Sequence, residues 1–428
     1  MRTHNLLNLI FGIAAAFCLF GKGVTLWHEM NPATLASPYL HVTSWLIDYS
    51  QGYVRRGLPG QTVRWLYETC GIEPQWSIFT VAWLTFLSLT AIAFIVFRRR
   101  QLCWWPLMLT VCIGGLAPAY RDSLVLLLCM ACYWSCARLR QPWPRYLIAN
   151  LIAILLINVH EIGFFLTFPA MSLLSMGDEE VALPTLLRPL VLAPACAAFL
   201  LTCIFRGDSE TSQGIIEGWQ GILPQWWNGV SLRNIGAFIG CDPSSIVAST
   251  RNNMLSRWHG APHFLLFLGE ALASLLVIIR LPLSNTKRTA ESQILPLLAI
   301  GQLLPLTIVF PLFCDYSRLF GLWSLSTLMC FAIVPMKQWC KVLAAIDAMG
   351  CGIGSRLNTC RLGVSRCFDA VPTWLVVALA LMVGMSGIGF DFNACLGRSV
   401  IGSFVHSFAW DVYKSHGDVG TWLRLQAR

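Results

Sequence analysis

Apolar residues run in blocks of roughly 17–22, and polar residues gather in the breaks between them. As helix, a block of that length crosses about 30 Å of hydrocarbon. The pattern predicts spans near 6–27, 76–97, 103–119, 122–137, 146–159, 162–176, 189–205, 262–280, 293–311, 318–335 and 372–390. The expected fold is all-α: one integral membrane domain over 1–428, a polytopic transmembrane bundle of about eleven spans (roughly 10–12). The first block holds Lys22 and is followed by no small-residue cleavage site, so it is expected to remain as a span.

The breaks set the orientation. Arg98–Arg100, Arg138, Arg140, Arg145, Arg280, Lys287, Arg288, Lys337, Lys341, Arg356, Arg361 and Arg366 all follow even-numbered spans. Short cytoplasmic loops collect such residues, which places the N-terminus in the cytoplasm and the C-terminus outside. The outer side then carries two long loops, 28–75 and 206–261, and a tail over 391–428. The segment 336–371 mixes basic and apolar residues and is expected to lie along the inner membrane face. The acidic run GDEE at 177–180 is the exception on a side otherwise read as basic flanks.

Composition sharpens this picture. Of 428 residues 56% are hydrophobic and 12% charged, about half the charge of an ordinary soluble domain. The net charge of +9 follows from the basic inner loops, and no nucleic acid is expected as a partner. Most of the seventeen cysteines sit inside apolar blocks. Cys129 and Cys132 form a CxxC within LLLCMACYWSC and read as small buried apolar residues. Cys70, Cys241 and Cys395 fall outside, without a pairing to assign. No cluster of oxygen ligands supports a divalent metal, and no cofactor is expected.

Four polar groups fall on the outer face: Asp48 with Arg55 and Arg56, Arg121 with Asp122, His160 with Glu161, and Asp315 with Arg318. Charge at membrane depth persists where it pairs or lines a wet cavity. Arg121 and Asp122 point about 100° apart on a helix, so each needs a partner elsewhere. Asp315 and Arg318 stand three apart and can pair on one helical face. Arg55 and Arg56, between Gly52, Gly57 and Gly60, present two planar forks that suit the oxygens of a phosphate. His160 serves as a phosphate donor or proton carrier. Simpler accounts exist for each group alone. Interfacial anchoring covers Arg121 and Arg318, a helix cap covers Asp122, and an interhelical hydrogen bond covers His160 and Glu161. The tryptophans of EGWQGILPQWWNG at 217–229 read first as interface anchors and second as sugar-stacking rings.

GYVRRGLPG at 52–60, set in a long first external loop, resembles bacterial membrane proteins associated with surface polysaccharide. The architecture resembles the GT-C class of membrane glycosyltransferases, which carry an acid in that loop and use polyprenyl-phosphate-linked sugars. Here Glu29 and Asp48 fall in the loop. The resemblance implies a bacterial inner-membrane enzyme with a polyprenyl-phosphate-linked donor and a lipid-linked or cell-surface glycan acceptor. On this reading Asp48 is the general base. Arg55, Arg56, Arg121 and Arg318 hold the leaving phosphate. His160 and Glu161 orient the substrates, and Asp122 and Asp315 are reserve bases or partners of the arginines. A polymerase using polyprenyl-diphosphate glycans would use the same arginines. A transporter or flippase would instead place ionisable groups near the midplane, and a non-catalytic assembly partner would need another chain for activity.

Overall fold

The computed structural model describes residues 9–13, 15–16, 19–21, 23, 40–100, 102, 104–114, 120–223, 232, 235–236, 239, 248, 257–258, 261–280, 289–309, 316–349 and 371–382. Apart from one antiparallel pair, Arg257–Trp258 with Ala261–Pro262, its regular structure is helical. The helices are α1 Gly57–Cys70, α2 Pro74–Arg99, α3 Trp105–Gly114, α4 Asp122–Arg138, α5 Pro142–Val159, α6 Ile162–Met176, α7 Ala193–Ile204, α8 Ser209–Gln220, α9 His263–Arg280, α10 Thr289–Val309, α11 Tyr316–Ile333, α12 Met336–Asp347 and α13 Thr373–Met382.

Local chemistry fixes several ends. Pro74 and Pro142 open α2 and α5, where the missing N–H costs nothing. Arg98 and Arg99 close α2 against its negative end. Asp208 caps α8 by accepting the Thr211 N–H at 2.8 Å.

Among the described residues, three helical segments are long and apolar enough to cross a membrane: Pro74–Arg99, Pro142–Val159 and Thr185–Ile204. A fourth counts if Leu319–Ile333 and Met336–Asp347, bent by 103°, form one broken span. Other expected spans are shorter as helices. α6 has 15 residues, which at 1.5 Å per residue reaches about 22 Å. The first span and the tail over 391–428 lie largely or wholly outside the described residues.

The outward faces are those of a membrane protein. Only 17% of the best window in Thr185–Ile204 is buried, and Leu186, Leu187, Leu190, Leu200, Leu201 and Ile204 are exposed. So broad an apolar face is not left in water by a soluble monomer. Inside, α4, α5, α6, α10 and α11 share the main core. A buried polar knot crosses it. Gln302 donates to the Leu166 carbonyl (2.5 Å) and to the Tyr133 hydroxyl (3.0 Å), and accepts from Thr327 (2.6 Å). Such bonds tie helices together where water is absent. Cys129 and Cys132 are buried free thiols within α4.

The inner-side charges are more than flanks. Arg145 pairs with Asp178 and donates to the carbonyls of Leu139 (2.8 Å) and Arg140 (2.7 Å), while Tyr146 donates to Asp178 (2.8 Å). Lys341 of α12 reaches Glu179 at 3.5 Å. The acidic run at 177–180 is therefore a counter-charge for buried and interfacial bases. α12 itself buries Trp339, Val342, Leu343 and Ile346 on one stripe.

The described parts of the two loops expected outside are not irregular. Residues from 42–63 in the first and 215–239 in the second pack with Ile78 and Ala82 of α2 as a second core. Trp45, Leu46, Ile47, Val54 and Val63 meet Ile215 and Trp219 there. This core carries the candidate site.

Candidate functional site

The chain turns at Tyr49–Gly52, where the Gly52 N–H donates to the Tyr49 carbonyl at 3.0 Å, and re-enters helix at α1. Arg56 precedes α1 in the left-handed conformation, with φ +64°. That geometry costs a residue with a side chain roughly 1–2 kcal/mol. Two interactions hold it. The Arg121 Nη1 donates to the Arg56 carbonyl at 3.1 Å. The Arg56 guanidinium grips Glu161, its Nε donating to Oε1 (3.0 Å) and Oε2 (2.7 Å) and its Nη2 to Oε1.

Arg55 lies 3.9 Å from the same carboxylate, and its side chain is 21% exposed. Two adjacent guanidiniums, Arg55 and Arg56, thus meet Glu161 in the two-residue link between α5 and α6, while Arg121 braces the Arg56 backbone. Arg121 is buried at the start of α4 with Asp122, and both have further interactions.

Burial works against charge on Glu161. The Arg56 guanidinium and its hydrogen bonds, with Arg55 behind it, nevertheless hold the carboxyl well below the usual carboxylate range. Burial also pushes the Arg55 guanidinium below its ordinary value. Glu161 opposes that, and the like charges of Arg56 and Arg206 add to it. His160 is buried, and its Nδ1 accepts the Ile162 N–H at 3.2 Å. That contact leaves Nε2 as the donor of the ring. The 3.6 Å from Nδ1 to Glu161 Oε2 is accordingly no hydrogen bond.

Asp48 sits differently. It is fully buried. Its Oδ1 accepts from the Ser50 N–H (2.9 Å) and hydroxyl (2.6 Å), and its Oδ2 from Arg64 Nε (2.7 Å). Arg64 in turn lies over the Trp219 ring, 4.8 Å from its centroid. Asp48 therefore pins the turn to α1 and α8 rather than standing beside the arginine pair.

Two glycines of the 52–60 motif permit close packing instead of exposing backbone to a ligand. A side chain at Gly60 would run into the Ile47 carbonyl, and one at Gly57 into the Tyr49 ring. Gly60→Ala is expected to cost about 1–3 kcal/mol, toward the upper end because backbone cannot step aside as a side chain can. A thermal melt of the detergent-solubilised chain measures it. An unchanged midpoint would mean that α1 does not lie against Ile47.

Comparison with protein-family models, with curated proteins and with solved structures finds no match for this chain.

The site thus brings together Arg55, Arg56, Arg121, Asp122, His160 and Glu161, and sets Asp48 apart with Arg64. Asp315 lies outside the described residues, as does the side chain of Arg318. The other two tryptophans of 217–229, Trp226 and Trp227, also lie outside, and Trp219 itself is fully buried beneath Arg64. Among the described residues no group of three or more His, Cys, Asp or Glu is placed to hold a metal. The sequence reading missed Arg64, Tyr49, Tyr53, Asn158 and Arg206. Asn158 Oδ1 accepts from both tyrosine hydroxyls, at 3.1 Å from Tyr49 and 2.8 Å from Tyr53. An amide near the end of an apolar block was the available signal.

Proposed function

We propose that this chain transfers a sugar from a polyprenyl-phosphate-linked donor to a lipid-linked or cell-surface glycan acceptor. The reaction takes place at the external face of a bacterial inner membrane, in a bundle of about eleven spans with a cytoplasmic N-terminus and a periplasmic C-terminus. The observation that carries this reading is the meeting of Arg55 and Arg56 with one carboxylate where apolar helices end, with Arg121 bound to the Arg56 carbonyl. Guanidiniums fixed in a poorly solvated place favour charge that develops on a leaving phosphate.

The roles divide by geometry. Arg55, partly exposed, contacts the donor phosphate. Arg56 and Arg121 are positioning residues, since one is engaged by Glu161 and the other holds the Arg56 carbonyl. His160 offers a hydrogen-bond donor at Nε2. In the transfer, the bond from the anomeric carbon to the phosphate oxygen breaks, and a bond to the acceptor oxygen forms. The acceptor proton passes to a carboxylate, and the phosphate leaves with the bonding pair. Glu161, gripped by Arg56 and held well below the usual carboxylate range, is a weak base and serves as the counter-charge that positions the arginines. The base role falls to one of the other carboxylates, Asp48, Asp122 or Asp315. The surrounding apolar helices accept the polyprenyl tail.

Arg55→Ala is the direct test. With membrane levels unchanged, transfer from a synthetic polyprenyl-phosphoryl sugar is expected to fall about 100-fold or more, and the surface-glycan profile to change with it. An unaltered profile and rate would overturn the reading.

A further inference from the structure

A further guanidinium, Arg206, lies close enough to Arg55 for the two like charges to act on each other, as Arg56 also does. Arg206 follows α7, and its segment runs alongside the motif loop. The Gly207 backbone packs on the Val54 side chain, with 3.4 Å from a β-carbon placed there to Cγ1. The Phe205 ring meets the Tyr53 ring edge-on, centroids 6.1 Å apart. Each of the two segments thus offers a ring and a guanidinium in close succession: Tyr53 with Arg55, Phe205 with Arg206.

The rings are presented rather than buried. Tyr53 is 43% exposed and Phe205 52% exposed. Tyr53 is also held in place. It stacks on Tyr49 at 5.6 Å and 13°, and its hydroxyl donates to Asn158. Asn158 Nδ2 donates in turn to the Ile154 carbonyl at 2.9 Å. A fixed aromatic surface beside several guanidiniums fits a ligand with an apolar ring face next to an anion. A pyranose joined to phosphate has that form, because its C–H face meets the negative face of an aromatic ring while the phosphate takes the guanidinium forks.

We infer that Tyr53 and Phe205 form the sugar subsite of the donor, and that Arg206 joins Arg55 in holding its phosphate. The inference rests on the proposed transfer reaction. Its ligand class is a glycosyl phosphate whose sugar lies over Tyr53.

Binding to the full chain in nanodiscs tests it. The probes are farnesyl phosphate and farnesyl-phosphoryl glucose, galactose, mannose and N-acetylglucosamine. Arg206→Ala is expected to weaken every phosphate probe that binds by roughly ten- to a hundredfold. Tyr53→Ala is expected to weaken at least one glycosyl probe roughly tenfold while leaving farnesyl phosphate unchanged. Tyr53→Phe keeps the ring and should bind as the parent does, which separates ring loss from misfolding. Equal loss for farnesyl phosphate and every glycosyl probe in Tyr53→Ala would mean that the rings hold the isoprenoid. That result, or no loss for any glycosyl probe, overturns the inference and leaves the transfer reading standing. Unchanged binding in Arg206→Ala overturns the role of that residue alone. If no phosphate probe binds, or phosphatidylglycerol displaces them equally well, both the inference and the transfer reading fail.

Discussion

Glu161→Ala is expected to destabilise the folded chain by about 3–5 kcal/mol. The carboxylate is a partner of Arg56, a buried guanidinium donating to both its oxygens, and a counter-charge of Arg55. Without it, Arg56 keeps a left-handed backbone and a desolvated charge that has lost this carboxylate. Thermal unfolding in detergent measures the loss, and retention of the parental midpoint would contradict this account of the cluster. The same pair sets a pH dependence. The folded-state pKa of Glu161 is depressed, so its contribution is fully present above the unfolded carboxylate value of about 4.3. It declines only as pH falls below that value toward the folded one. Stability owed to this residue should therefore be flat from pH 7 to pH 5, and any fall over that range must come from other groups.

Asp48→Ala should have the next largest effect, about 3 kcal/mol. It strips Arg64 of its buried ion pair, leaving only Glu68 at 3.8 Å among the described carboxylates, and the 48–50 turn of two hydrogen bonds. Asp48→Asn keeps acceptors for Ser50 and should be milder. The contrast distinguishes an anchor from a base. If Asp48 is an anchor, activity in Asp48→Asn follows the amount of folded protein. If it is the base, activity vanishes in a chain of parental stability. Parallel melts and transfer assays on both variants decide between them.

Much of the architecture is legible from hydropathy because long apolar runs have few other fates. Pro74–Arg99 and Ile162–Met176 fall within two residues of the expected spans. Expectation departs where helix length depends on neighbours. The segment expected at 189–205 begins in a 3-10 turn, Thr185–Leu192. Pro335 separates α11 from a helix that leaves at 103°. The outer loops read as loops because their apolar residues are too few to span. They are still enough to build a core once α1 and α8 meet.

The site was legible as a set of charges on one side and not as a set of partners. Arg56 and Glu161 are 105 positions apart, and no spacing rule pairs them. The resemblance pointed to Asp48 as a base because it is an acid in the long first loop. Arg64, about two turns into α1, pairs with it where it is buried. Gly57 and Gly60 looked like phosphate-facing glycines, but the atoms they admit are a tyrosine ring and a carbonyl.

The meeting of Arg56 and Glu161 is the joint on which the whole cluster turns, and a double-mutant cycle measures it most directly. Arg56→Ala, Glu161→Ala and the double variant are unfolded in the same detergent. Direct contact predicts a coupling above about 1.5 kcal/mol, with the double variant losing much less than the two single losses together. Losses that simply add, to within about 0.5 kcal/mol, would show that the two groups do not meet.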